Sequence, residues 1–298
     1  SEAIARVQEN GRFAIELLAR EIREAGYLGC LSRGIPVNDI RKGTPSPVDW
    51  ASAAIHGFEN GNGWTAPTGI TRRSGSDVLR YSGLVGNPAR VLDRDGDPVN
   101  ANIKVDRRPT NLDNGDPFIV TNCERATVAN DVNDTNAKGV VVHSAGKNEL
   151  DEFRINPLYT WDSRSLIFSY DEVEFFVGRA NANVPWSLYR HSMAKATSEP
   201  LVENVEDMDV TFGVDTNGDG SADTYQDADT VTGGSNWPNV ISVRVALLVR
   251  STDNGAVLQP QPVFFRSVSG TADVTPAASD RYLRQTFTTT IALRNRLP

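Results

Sequence analysis

The chain has 298 residues, room for one large domain or two modest ones and for a core that needs no staples. Apolar residues make up 39% and charged residues 23%, an ordinary globular balance. Net charge is −8 with no basic patch, which argues against nucleic acid and anionic membrane surfaces as partners, because their phosphates need cations.

No run approaches the ~18 apolar residues a spanning helix needs. The first residue is Ser1, not Met, and it falls inside what already reads as a helix with no N-cap motif ahead of it. The simplest expectation is that an upstream segment is missing, by processing or by choice of fragment.

Residues 2–26 carry the clearest helical pattern. At 100° per residue, Ile4, Val7, Gly11, Ala14, Ile15, Leu18, Ile22 and Ala25 fall in one stripe, with Glu2, Arg6, Glu9, Glu16, Arg20 and Glu24 opposite. Gly26 and Gly29 are expected to end this rod of roughly 40 Å. Phe13 breaks the pattern by projecting among the charges, with Leu17 nearby. Either a loop covers a wide apolar face, or Phe13 and Leu17 touch a neighbouring subunit.

Residues 31–75, rich in Gly, Pro, Ser and Asn, read as a long irregular region anchored by burial of Trp50 and Trp64. Short strands follow at about 77–82, 89–93, 117–121, 139–143, 165–169 and 172–178, with Asp-Gly and Asn-Gly pairs marking turns. The segment 130–136 is too polar for a core and reads as loop.

The strongest strands come late. Met208, Val210, Phe212 and Val214 alternate with polar residues or glycine over 207–214, and Ile241, Val243, Val245, Leu247 and Val249 share one side of 241–250. Leu283, Phe287, Thr289, Ile291 and Leu293 share one side of 283–293. Period two with one wet face marks an antiparallel sheet, and the helical stripe is its natural cover. The expectation is an α+β fold: a long N-terminal helix packed on a late antiparallel sheet, with large loop insertions. We expect a single globular unit over 1–298, with the helix in 1–28, a loop-rich and β insertion region in 29–140 and the antiparallel sheet region in 141–298.

Enzyme signatures are absent: there is no nucleophile elbow, zinc-protease helix or phosphate-binding loop. His56, His143 and His191 lie far apart in the sequence, and nothing nominates a nucleophile or its base. One segment carries chemistry. In 215–223, Asp215, Asn217 and Asp219 occupy positions 1, 3 and 5 of a calcium-type loop, with Gly220 at 6, the Ser221 carbonyl at 7 and Asp223 at 9. Calcium takes six to eight oxygens at roughly 2.4 Å, and alternate residues on a tight turn aim theirs inward. The loop lacks a bidentate Glu at position 12, where Gln226 stands, and its flanks look like strands. The competing reading is an Asx-rich hairpin turn without metal. A weaker acidic triplet is Asp93, Asp95 and Asp97.

Cys30 and Cys123 are the two cysteines, free thiols in a cytosolic protein and a pair in an exported one. Composition does not decide between the two.

The string Val7-Gln8-Glu9-Asn10-Gly11-Arg12-Phe13-Ala14, continuing through Leu18-Ala19-Arg20 to Ala25-Gly26-Tyr27-Leu28-Gly29-Cys30, closely resembles the N-terminal region of PilW-type minor pilins. The resemblance recurs at Ile119-Val120-Thr121-Asn122-Cys123, at Ser187-Leu188-Tyr189-Arg190, from Leu201 to Met208, from Ile241 to Ser251 and from Phe287 to Arg296. It implies a type IV pilin-like fold with no enzymatic activity. It also implies export in a Gram-negative bacterium and anchoring in the inner membrane by the hydrophobic half of the helix, which would precede Ser1. Export favours a Cys30–Cys123 disulfide. The resemblance further implies other minor pilins, the major pilin and a pilus-tip adhesin as partners, with a role in priming pilus assembly. The protein would sit on the periplasmic face of the inner membrane and then in the pilus.

Two other functions fit the same residues. One is a J-type pseudopilin of a type II secretion system. The other is a calcium-stabilised surface adhesin, whose aromatic cluster Trp161, Trp186 and Trp237 would supply.

Overall fold

The computed structural model describes residues 2–31, 37–43, 54–92, 102–132, 139–144, 146–149, 163–266 and 276–296. Trp50, Trp161 and the triplet Asp93, Asp95 and Asp97 lie outside them.

Helix α1 spans Glu2–Ile22 and a short helix α2 spans Ala228–Gly233. The strands are β1 (Val37–Asp39), β2 (Ile55–Phe58), β3 (Thr71–Arg72), β4 (Val78–Arg90), β5 (Asn102–Lys104), β6 (Pro117–Thr121), β7 (Ala126–Asn130) and β8 (Val140–Val142). They continue with β9 (Leu166–Arg179), β10 (Ser187–Ser192), β11 (Thr197–Glu203), β12 (Val205–Val214), β13 (Thr224–Gln226), β14 (Val240–Arg250) and β15 (Arg284–Ala292).

The expected helix-on-sheet arrangement is present: α1 packs on β14 and β15, with β11 at its flank. Val7, Gly11, Ala14, Leu18 and Ile22 are buried at helical spacing. Gly11 is needed at the contact, because a Cβ there would fall 2.2 Å from the Phe287 ring of β15. Two expectations are corrected. Ile4 is 43% exposed, because the sheets bury the helix only from Val7 onward. The helix also ends at Ile22, and residues 23–26 form tighter turns closed by Glu24 N–H to Glu21 and Ala25 N–H to Ile22. Gly26 and Gly29 then take φ of +73° and +69°, the left-handed exit expected of them.

The late strands form a four-stranded antiparallel sheet in the order β13-β12-β14-β15. Its inner side carries Met208, Val210, Phe212, Val214, Val243, Val245, Leu247 and Val249 into one core with the helical stripe. The largest sheet among the described residues begins earlier in the chain: nine strands, in the order β1-β7-β6-β9-β10-β11, with β3 and β4 attached beside β9 and β2 beside β4. Strand β9 is its spine. One edge pairs with β4 and then β3, the other with β6 and then β10. Pairing is antiparallel except for β1 with β7. A third sheet joins β5 to β8.

The sequence reading split β9 at Ser169-Tyr170-Asp171. The strand runs on because those polar groups find partners. Ser169 donates to the Thr110 carbonyl at 2.7 Å, and Asp171 accepts from Ser192 Oγ at 2.6 Å and Ala194 N–H at 3.0 Å. Likewise the separate strand expected at 89–93 is the end of β4, which continues past an irregularity between Val85 and Ala89. The loop expected at 130–136 is corrected where described: Asn130 closes β7, and Asp131 is fully buried, paired with Arg108 and accepting from Val142 N–H at 3.0 Å. Trp64 is buried as expected, tilted against Phe176 at 4.9 Å on the far face of β9.

The two large sheets meet at residues 76–77. Asp77 N–H donates to the Met208 carbonyl, and Met208 N–H donates to Ser76 Oγ. The Asp77 carboxyl accepts from Asn60 N–H and Val210 N–H, both at 2.8 Å. Arg266 closes this joint from outside, 2.9 Å from Asp207 and 3.8 Å from Asp77.

Cys30 and Cys123 form a disulfide with their Cα atoms 4.8 Å apart. It ties the exit of α1 to the turn between β6 and β7, where Cys123 takes a φ of +72°.

Candidate functional site

Helix α1 has one buried side and one wet side. Phe13 lies opposite the buried stripe, as its angle on the helix dictates, and is 52% exposed. Glu2, Arg6, Glu9, Arg12, Glu16 and Arg20 surround it, all exposed, with Arg6 bonded to Glu2 at 2.6 Å. Leu17 differs from expectation: it is half-buried and packs against the core. Phe13 is therefore the large apolar side chain presented by this face.

The helix is held in place from its flank. Glu21 accepts from Tyr81 Oη at 2.8 Å and from Arg190 Nε at 3.0 Å. These bonds fix its rotation about its own axis, and so fix where Phe13 points.

Residues 215–223 close the hairpin between β12 and β13, where Val214 pairs with Thr224. The flanks are strands, as expected. Gly218 and Gly220 take φ of +81° and +84°, which only glycine adopts cheaply. Asp215 accepts from Gly218 N–H at 2.6 Å and Gly220 N–H at 2.9 Å. Asn217 Oδ1 accepts from Asp219 N–H, and Asp219 from Ser221 N–H. Asp223 takes Thr216 Oγ1 at 2.6 Å, Thr216 N–H at 2.8 Å and Asn217 Nδ2 at 3.1 Å. The Gly220 amide, foremost, holds the Asp215 carboxyl below its ordinary range, and the Thr216 hydroxyl does the same for Asp223. The all-oxygen donor set suits a hard cation, but the side chains engage the turn's own donors. Among the described residues no three Asp, Glu, His or Cys side chains group as a metal centre requires.

The histidines occupy separate elements. His56 of β2 stacks on Trp237 at 4.4 Å between ring centres, His191 of β10 bonds Ser198 at 2.8 Å, and His143 follows β8. Trp237 also meets the Phe212 ring edge-on at 4.8 Å and is buried, so it is not part of an exposed aromatic cluster.

A long helix with a buried stripe and a wet outer face, laid on antiparallel sheets and pinned at its exit by a disulfide, is the arrangement that the resemblance to pilins implied. Residues 174–295, from within β9 to just past β15, match the family model PilW, described as Type IV Pilus-assembly protein W. Over this segment, about two fifths of the chain, the protein is similar to the PilW family of type IV pilus assembly proteins. Among solved structures, the "Type IV-like pilin TTHA1219 from Thermus thermophilus" is similar at 11% identity, with 97% of this chain and 98% of that chain covered. Its TM-score of 0.36 is too low to carry an argument. None of the curated proteins matches the chain.

Proposed function

We propose that this protein is a minor pilin that primes pilus assembly within a tip complex of minor pilins and helps to present an adhesin there. The observation that carries the reading is the two-sided α1, buried against β14 and β15 on one side and offering Phe13 on the other, in a chain whose residues 174–295 match the PilW family. Phe13 supplies the affinity for a neighbouring subunit: burying its ring is worth about 1.5–3 kcal/mol. The charges around it select the partner. The full protein would stand on the periplasmic face of the inner membrane of a Gram-negative bacterium before entering the pilus beside the major pilin.

The test is a pull-down of this domain with the other minor pilins of its operon, together with a clean deletion of its gene. The wild-type domain should retain those pilins, and Phe13→Ser should lower retention about tenfold, the equivalent of ~1.4 kcal/mol. The deletion strain should lose most surface pili. Normal piliation and twitching in that strain would overturn the priming role.

We propose further that the Asp215–Asp223 turn takes calcium, using oxygens of Asp215, Asn217, Asp219, Ser221 and Asp223. Support comes from their spacing and from the two glycines at positive φ. Binding would require Asp223 to turn away from Thr216 and Asn217. Millimolar CaCl2 should raise the melting temperature of the wild-type domain by a few degrees, and the rise should vanish in Asp219→Asn. No shift, together with no heat by calorimetry, would remove the metal from the picture.

A further inference from the structure

A groove of about 620 Å³ opens where the β9–β10 hairpin faces the small sheet. Its cations divide into two kinds. On the small-sheet side, Arg284 binds Glu206 at 2.6 Å and Asp280 at 2.8 Å, and Arg250 binds Glu206 at 3.3 Å. Their charge is spent inside the protein.

The hairpin side is different. Arg179 ends β9 and Arg73 follows β3, and the indole of Trp186 serves both. Their guanidinium carbons lie 4.2 Å and 5.4 Å from its ring centre. Among the described residues neither guanidinium makes a side-chain hydrogen bond or an ion pair, and the Arg73 Nε is buried without a partner. Asp207, whose carboxyl feels the charge of Arg73, is taken by Arg266 at 2.9 Å. An acidic chain of net charge −8 thus keeps two guanidiniums with no ion-paired carboxylate together on one aromatic ring in this groove, whose remaining carboxylate is that of Glu203.

Cation–π contact fixes the direction of each fork without using its N–H donors, so that, the buried Arg73 Nε apart, they stay available for a planar anion. Beside them Val184 is 37% exposed, and Leu248 lies in the groove wall. Apolar surface next to a paired-donor anion site suits an amino-acid side chain better than a bare inorganic ion.

We propose that this groove docks an acidic peptide segment of a partner protein, with Arg73 and Arg179 sharing its carboxylate and Trp186 holding both arginines in place. The proposal rests on the reading of this chain as an assembly subunit, since that reading supplies protein partners. Its lining residues come from other elements than the α1 face that presents Phe13.

The probe is acetyl-hexaglutamate amide, titrated into the domain at low salt and followed by calorimetry, with inorganic phosphate, N-acetylneuraminate and hexalysine in parallel. Wild type should bind the acidic peptide, and Arg179→Gln should weaken it at least tenfold while leaving the melting temperature within about 2 °C. The double variant Arg12→Gln/Arg20→Gln removes twice that charge from the helix face and should still leave binding within about twofold. Three outcomes overturn the proposal: no binding of the peptide, equal weakening by the Arg12/Arg20 variant, or binding of phosphate or the acidic sugar alone. Failure here leaves the piliation result untouched, so the two readings can be told apart.

Discussion

Replacing both Cys30 and Cys123 by Ser should lower the stability of the domain by about 2–5 kcal/mol, one of the two largest losses expected from changing so few atoms. The bridge closes a loop with a sequence separation of 93 residues. Chain-entropy arguments put the stabilisation of a loop this long at up to ~4–5 kcal/mol through restriction of the unfolded chain. Inside the loop lie β1 to β6, several of them only two to five residues long. Short strands gain little from local pairing, so this region depends heavily on being held at both ends. Urea melts of wild type and the double Ser variant, in oxidising buffer, measure the difference. A loss below about 1 kcal/mol would show that the β1–β6 region holds its place by packing alone.

The second large effect belongs to Asp77. Burial pushes its carboxyl up from the ordinary 3.8 to about 7, against the pull of the Asn60 and Val210 amides and of Arg266. The folded protein therefore keeps a proton that the unfolded chain has already released between about pH 4 and pH 7. That proton's contribution is complete below the unfolded value and is lost as pH rises through the folded one. At ~1.4 kcal/mol per pH unit, the gap between the two titrations caps the effect at about 4 kcal/mol. Asn at this position cannot titrate, and its NH2 would face one of the two N–H donors. The variant Asp77→Asn should be destabilised throughout, by most at pH 4 and by least above pH 7. A wild-type-to-variant difference that stays flat from pH 4 to pH 8 would sink this account.

Much of the fold was legible because burial was one-sided. On α1, β12 and β14 the period of the apolar residues survives in the sequence, since the other side of each carries polar residues, such as Asp209 and Thr211 on β12 and Ser242 and Arg244 on β14. The bounds found for these strands, Val205–Val214 and Val240–Arg250, lie within two residues of those expected. The nine-stranded sheet was harder to see. Its spine is covered on both faces, and polar residues such as Ser169, Asp171 and Glu174 sit inside it, satisfied by partners distant in sequence. Strand β7 escaped notice because Ala126-Thr-Val-Ala-Asn shows no alternation, and β11 because it is largely exposed.

The candidate surfaces divide in the same way. Phe13 was legible as an apolar residue on a charged face, and the 215–223 turn from its spacing. Leu17 was misplaced because a helical angle alone cannot tell how far the neighbouring strands reach. The Arg73–Trp186–Arg179 cluster left no sequence signal, since its members come from two separate segments that only the β3–β9 pairing brings together.

The disulfide also decides how a mechanical pull would travel. If the chain is built into a filament as proposed, it would feel tension along its helix. Beyond Ile22 that tension reaches Cys30, where the sulfur bridge hands it straight to the β6–β7 turn. The described strands β1 to β6 lie inside this short circuit and are bypassed by the load for as long as the bridge is intact. In a reducing environment the same pull would pass through every one of those short strands in turn and peel them.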